Sequence, residues 1–209
     1  TGVQTCALPI WQTHMQRILT WCLAALLAVA GIANAQTTPA AKPRVELKTS
    51  MGKIVVELDP EHAPITVANF LKYVRSGQYN GTIFHRVIDG FMIQGGGMDA
   101  AMHEKATGAP IKLESKNGLS NTIGTIAMAR TNIPDSATAQ FFINVVDNSS
   151  RLDYPHPDGN GYAVFGKVVA GMEVVEKIKA VRTSTVGPHE NVPVQSIVIE
   201  RAKIGRAHV

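Results

Sequence analysis

The chain has 209 residues, 20 Lys and Arg against 16 Asp and Glu, a formal net charge of +4 and two cysteines. Arg17 and Arg206 fall outside 36–203, which leaves that segment 18 basic residues against 16 acidic ones, a balance of only +2. Those charges are scattered among one another, which excludes the clustered basic stripe of a nucleic-acid binder.

Residues 1–14 have no structural logic, and Thr5–Ile10 together with Ile204–Val209 can be encoded by one DNA tag read in opposite orientations. Both 1–14 and 204–209 are therefore expected to be adaptor-encoded. From Met15 the chain reads as a secretory signal: Arg17 supplies positive charge, an apolar run spans Leu19 to Ile32, and Ala33-Asn34-Ala35 is a small-x-small cleavage site. The apolar run is short for the roughly 20 residues of a bilayer crossing and lacks a basic stop-transfer flank. The expectation is a signal peptide over 15–35, cleavage after Ala35, no stable membrane anchor afterwards, and a periplasmic location. Cys6 and Cys22 both precede the cleavage site, so 36–203 is free of thiols, as suits an oxidising compartment.

Residues 36–43, rich in Thr, Pro and Ala, read as a linker, and 44–203 have the length of one domain with a sizeable core. Val45–Thr49 and Lys53–Leu58 form an expected hairpin, with Ile54, Val56 and Leu58 alternating onto one face. Pro64 suits the first turn of a helix whose stripe is Val67, Phe70, Leu71 and Val74, and Gly77 ends it. Short β-type runs follow at Thr82–Val87, Phe91–Gln94, Ile111–Glu114, Thr122–Ala129, Gln140–Val145, Tyr162–Val168 and Val192–Lys203. A second helix is expected over Met172–Ala180, with Val174, Val175 and Ile178 on its apolar side. Many strands with two helices predict a mainly β fold, a closed or nearly closed antiparallel barrel, since closure removes exposed edges.

The common catalytic signatures are missing: no G-x-S-x-G elbow, no H-E-x-x-H helix and no phosphate loop. Gly95-Gly96-Gly97 is followed by Met98-Asp99-Ala100, so it reads as close backbone packing or a bend. His62, His85, His103, His156 and His189 are widely spaced and lack metal-ligand partners in the sequence; no metal or other cofactor is expected. What stands out is Arg86, a cation followed closely by Phe91, Met92 and Gln94. If the run turns at Asp89-Gly90 between two antiparallel strands, alternation can place Arg86 and some of these side chains on one face. A surface arginine beside a core strand is the plainer alternative.

Phe84-His85-Arg86 through Gly97, Gly124 through Arg130, Ser136 through Asn144 and Gly161 through Val168 closely resemble, in order, the motifs of the cyclophilins, with exported bacterial members the nearest in kind. The resemblance spans about Val45 to Lys203. It implies an eight-stranded antiparallel barrel capped by two helices and a peptidyl-prolyl cis/trans isomerase acting on proline-containing segments of unfolded or exported proteins. It makes Arg86 the catalytic residue and Phe91, Met92, Phe142 and Leu152 the walls of a proline pocket. Gln94 and Ala129 would hold the peptide backbone, Gln140 matches another binding position, Tyr162 stands where some members have histidine, and Arg130 occupies a contact site that is often asparagine. His85 also matches a family residue. It is read as a hydrogen-bonded structural histidine, because bond rotation needs no proton transfer. Arg151 stands where an aromatic is common, which weakens any inference of tight cyclosporin binding. A monomer is expected. The competing readings are a module that holds proline peptides without turning them over, and a lipocalin-like small-molecule barrel.

Overall fold

The chain is described by a computed structural model that covers residues 41–205 and Gly2. The signal-like segment 15–35 lies outside the described residues, as do nearly all of 1–14, most of the 36–43 linker, and 206–209. Strand β1 (Arg44–Thr49) and strand β2 (Gly52–Leu58) pair antiparallel around a turn at Ser50-Met51, in register from Arg44 opposite Glu57 to Thr49 opposite Gly52. Val45, Leu47, Ile54, Val56 and Leu58 are fully buried, as the alternation predicts.

Helix α1 (Pro64–Arg75) starts with Pro at its first turn and buries Val67, Phe70, Leu71, Tyr73 and Val74. Its N-cap residue Ala63 offers no side-chain acceptor. The orphan amides are met from far along the chain, where the Glu114 carboxylate accepts from the backbone N–H of Ile65 (3.1 Å) and Thr66 (2.8 Å) and from the Thr66 hydroxyl (2.7 Å). This explains why the expected strand at Ile111–Glu114 does not form. Apart from one isolated bridge between Ile111 and Ala137, that segment is a connection whose end is committed to capping α1.

The remaining elements are β3 (Thr82–Ile88), β4 (Met92–Asp99), β5 (Thr125–Met128), β6 (Phe141–Asn144), the single helical turn α2 (Ser149–Leu152), β7 (Val164–Ala170), α3 (Met172–Lys179), β8 (Thr183–Val186), β9 (His189–Pro193) and β10 (Val198–Ile204). Eight strands close a barrel in the order β1-β10-β3-β4-β6-β5-β7-β2, all neighbours antiparallel. The interior is solid. Phe70 from α1 packs against Tyr79 (5.1 Å between centroids), Phe165 (5.1 Å) and, edge to face, Phe141 (5.6 Å). From α3, Val174, Val175 and Ile178 join the same cluster, so the two expected helices both cover it.

Two further differences from the sequence reading have local causes. The single run expected over Val192–Lys203 is two strands, because Pro193 has no N–H to continue a ladder, and the chain bends before resuming at Val198. Strand β8 pairs only with β9 and is exposed throughout, so no apolar alternation marked it. At the other end, β10 includes Ile204, which pairs with Val45, and the Gly205 N–H donates to the Arg44 carbonyl at 2.7 Å.

If Glu114 caps α1 from a distance, Glu114→Ala lowers stability to urea by about 1 to 2 kcal/mol, and Glu114→Gln, which keeps an acceptor, by less. Equal midpoints for wild type and Glu114→Ala would remove the cap from the account of this helix.

Candidate active site

Registered neighbours in a sheet point the same way, and one register row runs across five strands of this barrel. Arg86 pairs with Gln94, Gln94 with Phe142, Phe142 with Ala127, and Ala127 with Val164. The adjacent row, Val87, Ile93, Ile143, Ile126 and Gly166, faces the interior. The first row therefore lies on the outer face. There Met92, Ala127, Phe142, Leu152 and Val164 form a second apolar cluster, separate from the barrel core, with Ile88, Phe91, Leu119, Ala129 and Tyr162 packed against it.

On this cluster sits a cavity of about 180 Å³ lined by Arg86, Phe91, Met92, Gln94, Ala129, Arg130, Phe142, Leu152 and Tyr162. Nine of the ten residues expected at the site thus meet around one space. The tenth, Gln140, stands just behind, accepting on Oε1 from Gln94 Nε2 at 2.9 Å. Gly97 makes room for it: a Cβ there would fall inside the Gln140 side chain. At Gly96, φ is +85° and a Cβ would lie 2.8 Å from Phe141, so both conformation and space require glycine. A larger concavity lies elsewhere, about 750 Å³ between 50–51, 181–182 and 194–197, but it gathers a single charged group, Arg182.

The floor of the cavity is apolar: Met92, Phe142 and Leu152 are 2%, 4% and 6% exposed. Tyr162 meets Phe142 edge to face at 5.7 Å. Arg86 is exposed at the rim, and its guanidinium makes no hydrogen bond or ion pair among the described residues. Arg130 is the opposite. Nε and Nη2 donate to the Gly161 carbonyl (3.0 and 2.8 Å), Nη1 to the Thr131 carbonyl (2.9 Å), and Nη1 and Nη2 to the two Asp158 oxygens (2.8 Å each). Its Cζ lies 4.5 Å from the Tyr162 ring centroid. Arg151 is exposed on α2 and does not line the cavity.

Residues absent from the sequence reading hold the walls. Asn121, Asn144 and Asn148 are fully buried beneath the site. Asn121 Nδ2 donates to Asp153 Oδ1 (2.8 Å) and the Tyr162 carbonyl (3.3 Å). Asn144 Nδ2 donates to Asn121 Oδ1 (3.2 Å) and Thr125 Oγ1 (2.9 Å), and Asn148 Nδ2 to Asn144 Oδ1 (2.8 Å) and the Phe91 carbonyl (2.7 Å). The relay joins the backbones of Tyr162 and Phe91. The polar Asn144 closing the run Phe141-Phe142-Ile143 was its one visible trace in the sequence.

His85 is buried, and its Nδ1 has no hydrogen-bond partner among the described residues. Burial depresses its pKa to about 4, aided by His189 and Arg86 and opposed by the Ile83 backbone. Elsewhere, Asp59, Glu61 and His62 bring ligand atoms within 4.8 Å of one another, but Asp59 is already engaged by Lys42 (2.6 Å) and His62 (3.0 Å).

The buried neutral imidazole has a consequence for stability. The unfolded chain takes up this proton near pH 6.5, whereas the folded chain resists it until about 4, so stability falls as pH drops between those values. By this group alone the domain is expected to lose about 2 kcal/mol between pH 7.5 and pH 5. Urea unfolding of wild type and His85→Gln at both values measures it; equal pH dependence in the two proteins would contradict a proton-excluding His85.

Comparison with known proteins covers nearly all of the described domain. Residues 44–204 match the model of the cyclophilin type peptidyl-prolyl cis-trans isomerases. Peptidyl-prolyl cis-trans isomerase A of Dickeya dadantii is 60% identical over 160 residues, 77% of this chain and 83% of that protein. The peptidyl-prolyl cis-trans isomerase of Acinetobacter baylyi is 58% identical over 164 residues, 78% of this chain and 86% of that protein. Among solved structures, a cyclophilin type isomerase of Cryptosporidium parvum in the presence of the dipeptide Ala-Pro aligns with a TM-score of 0.64 at 26% identity, over 78% of this chain and 99% of its own. Motif order, the closed barrel and the length of the match agree, and the chain belongs to the cyclophilin type peptidyl-prolyl cis-trans isomerase family.

Proposed function

We propose that this isomerase turns X-Pro bonds of unfolded, exported proteins at the outer face of its barrel, with Arg86 as the catalytic residue and the cavity over Met92, Phe142 and Leu152 receiving the proline ring. The observation that carries this reading is the pairing of a free guanidinium with an apolar floor in one small cavity. The Cryptosporidium relative was solved in the presence of Ala-Pro, a ligand of the same class.

Rotation about a peptide bond must break amide resonance, over a barrier of roughly 18 to 20 kcal/mol, but no covalent bond is made or cleaved. A nucleophile or a proton carrier is therefore unnecessary. Moving the X-Pro amide from water to an apolar surface disfavours its charge-separated resonance form, and a guanidinium directed at the prolyl nitrogen stabilises the lone pair that localises there as the bond twists. Arg86 is suited to this because it stays charged and its donors are unspent. A millionfold acceleration asks roughly 8 kcal/mol of transition-state stabilisation from pocket and donor together. Gln94, steadied by Gln140, and Ala129 are assigned to the peptide backbone.

The lipocalin-like reading loses its basis, since Phe84, Phe141 and Phe165 fill the barrel interior. A peptide-holding module shares the pocket and differs only in turnover. Slow X-Pro isomerisation limits folding, which gives an exported isomerase its use. The export reading rests on the signal-like 15–35 and the thiol-free 36–203, and the enzyme is taken to act as a monomer without metal or cofactor.

Cis/trans exchange on an X-Pro peptide, followed by NMR with residues 36–205, tests the assignment. Arg86→Ala is expected to lower kcat/KM roughly 100- to 1000-fold, with Arg86→Lys in between. Full activity in Arg86→Ala would remove the arginine from the mechanism; a folded wild type without activity would leave the holding module. Expression from Met15 in a bacterium should yield a periplasmic protein beginning at Gln36, and protein retained in the cytoplasm with 15–35 intact would refute export.

A further inference from the structure

We propose that Arg130, though it lines the cavity, does not act as a donor to the peptide: it is a positioning residue, locked by Asp158 so that it holds the Tyr162 ring as a wall of the proline pocket. The inference rests on the isomerase reading of this cavity and adds to it a device that sets how tightly substrate is held.

A guanidinium carries five N–H donors. Those of Arg130 are all engaged within the chain: one from Nε, two from Nη1 and two from Nη2, shared among the carbonyls of Thr131 and Gly161 and the two oxygens of Asp158. Its side chain is only 1% exposed, and no donor is left for a peptide carbonyl. What it still presents is its flat face, which lies against Tyr162 at 4.5 Å. That ring in turn meets Phe142 on the cavity floor. The chain of contacts therefore runs from Asp158, which does not line the cavity, through Arg130 to a wall and the floor.

The clamp also joins two separate stretches of chain. Thr131 begins the loop 131–136, itself tied by the Ser136 hydroxyl, which accepts from the Thr131 N–H (2.9 Å) and donates to the Ile133 carbonyl (2.6 Å). Asp158 and Gly161 belong to the loop that leads to Tyr162. Asp158 is fixed in turn by accepting from the Asn160 N–H at 3.1 Å. One planar side chain thus sets the distance between both flanks of the cavity, and bidentate geometry sets its orientation. Lysine, a single flexible ammonium, can satisfy neither requirement.

Asp158→Asn is the decisive variant because it touches neither cavity nor substrate. It is expected to raise KM for the proline peptide roughly tenfold, the scale of one lost charge-assisted contact, with kcat held within about twofold. Arg130→Lys is expected to do the same, and the double variant no more than the larger single effect. In the free enzyme, the Tyr162 ring resonances should shift in Asp158→Asn and Arg130→Lys but stay in place in Arg86→Ala. Unchanged or lowered KM in Asp158→Asn, or unmoved Tyr162 resonances in either variant, overturns the proposal. A wild type without turnover and an Arg86→Ala variant without effect would instead strike the isomerase reading, leaving the ring resonances to decide the clamp separately.

Discussion

Successive residues of a strand must face opposite ways, and in β6 that constraint makes two adjacent phenylalanines serve two different cores. Phe141 closes the barrel interior against Phe70, Tyr79 and Phe84, while Phe142 is the floor of the outer cavity. The same division runs through β5, where Ile126 and Met128 face in and Ala127 faces out, and through β4, where Ile93 faces in between Met92 and Gln94. The pocket is therefore the reverse side of a packed wall. A slip of one residue in any of these strands would exchange the two sets. Its rigidity is borrowed from the interior, which lets a cavity of about 180 Å³ keep its shape on an open surface.

An outward pocket carries a second constraint, because loops form its rim and loops bring backbone polar groups with them. The buried asparagines resolve much of this. Asn121, Asn144 and Asn148 pass hydrogen bonds from the Tyr162 carbonyl to the Phe91 carbonyl, so the backbones of two wall residues are satisfied and tied together. A buried amide left without partners costs about 1 to 3 kcal/mol, so each member is held in place by the others. Of the three asparagines, Asn148 leaves its Oδ1 without a partner among the described residues. Asp153 anchors one end, accepting from the Asn121 N–H at 2.7 Å and from the Ser120 hydroxyl.

Legibility in the sequence followed the range of the interactions. Strands that alternate, such as β1 and β2, and helices with an apolar stripe, such as α1 and α3, are written locally and were readable with small shifts of boundary. Of the nine lining residues, Arg86, Phe91, Met92 and Gln94 stood out locally, while the other five were legible only through resemblance to a family, since nothing local says that Leu152, on a one-turn helix, meets Met92. Interactions between distant segments left no mark. Residues 111–114 had the composition of a strand, yet Glu114 spends its carboxylate on a helix about fifty residues earlier in the chain. Strand β8, with neither face buried, had no periodicity to show. For His85, burial of one strand face does not reveal which ring nitrogen finds a partner, and Nδ1 has none among the described residues.

The two arginines at the cavity show why residue type alone could not assign roles. Both are permanent cations with the same five donors, and both line the same space. Arg86 extends from a strand to the exposed rim, and its donors are unpaired among the described residues. Arg130 has traded every donor for protein oxygens, and its attraction to Asp158 holds that carboxyl down to about 2, so the pair stays ionised at any pH at which the enzyme works. A donor already spent cannot strengthen its bonds selectively in the transition state, and selective strengthening is what accelerates a reaction. Of the two arginines, only the one with unpaired donors has the means to answer a charge that develops during rotation, which is the ground for the roles proposed for Arg86 and Arg130.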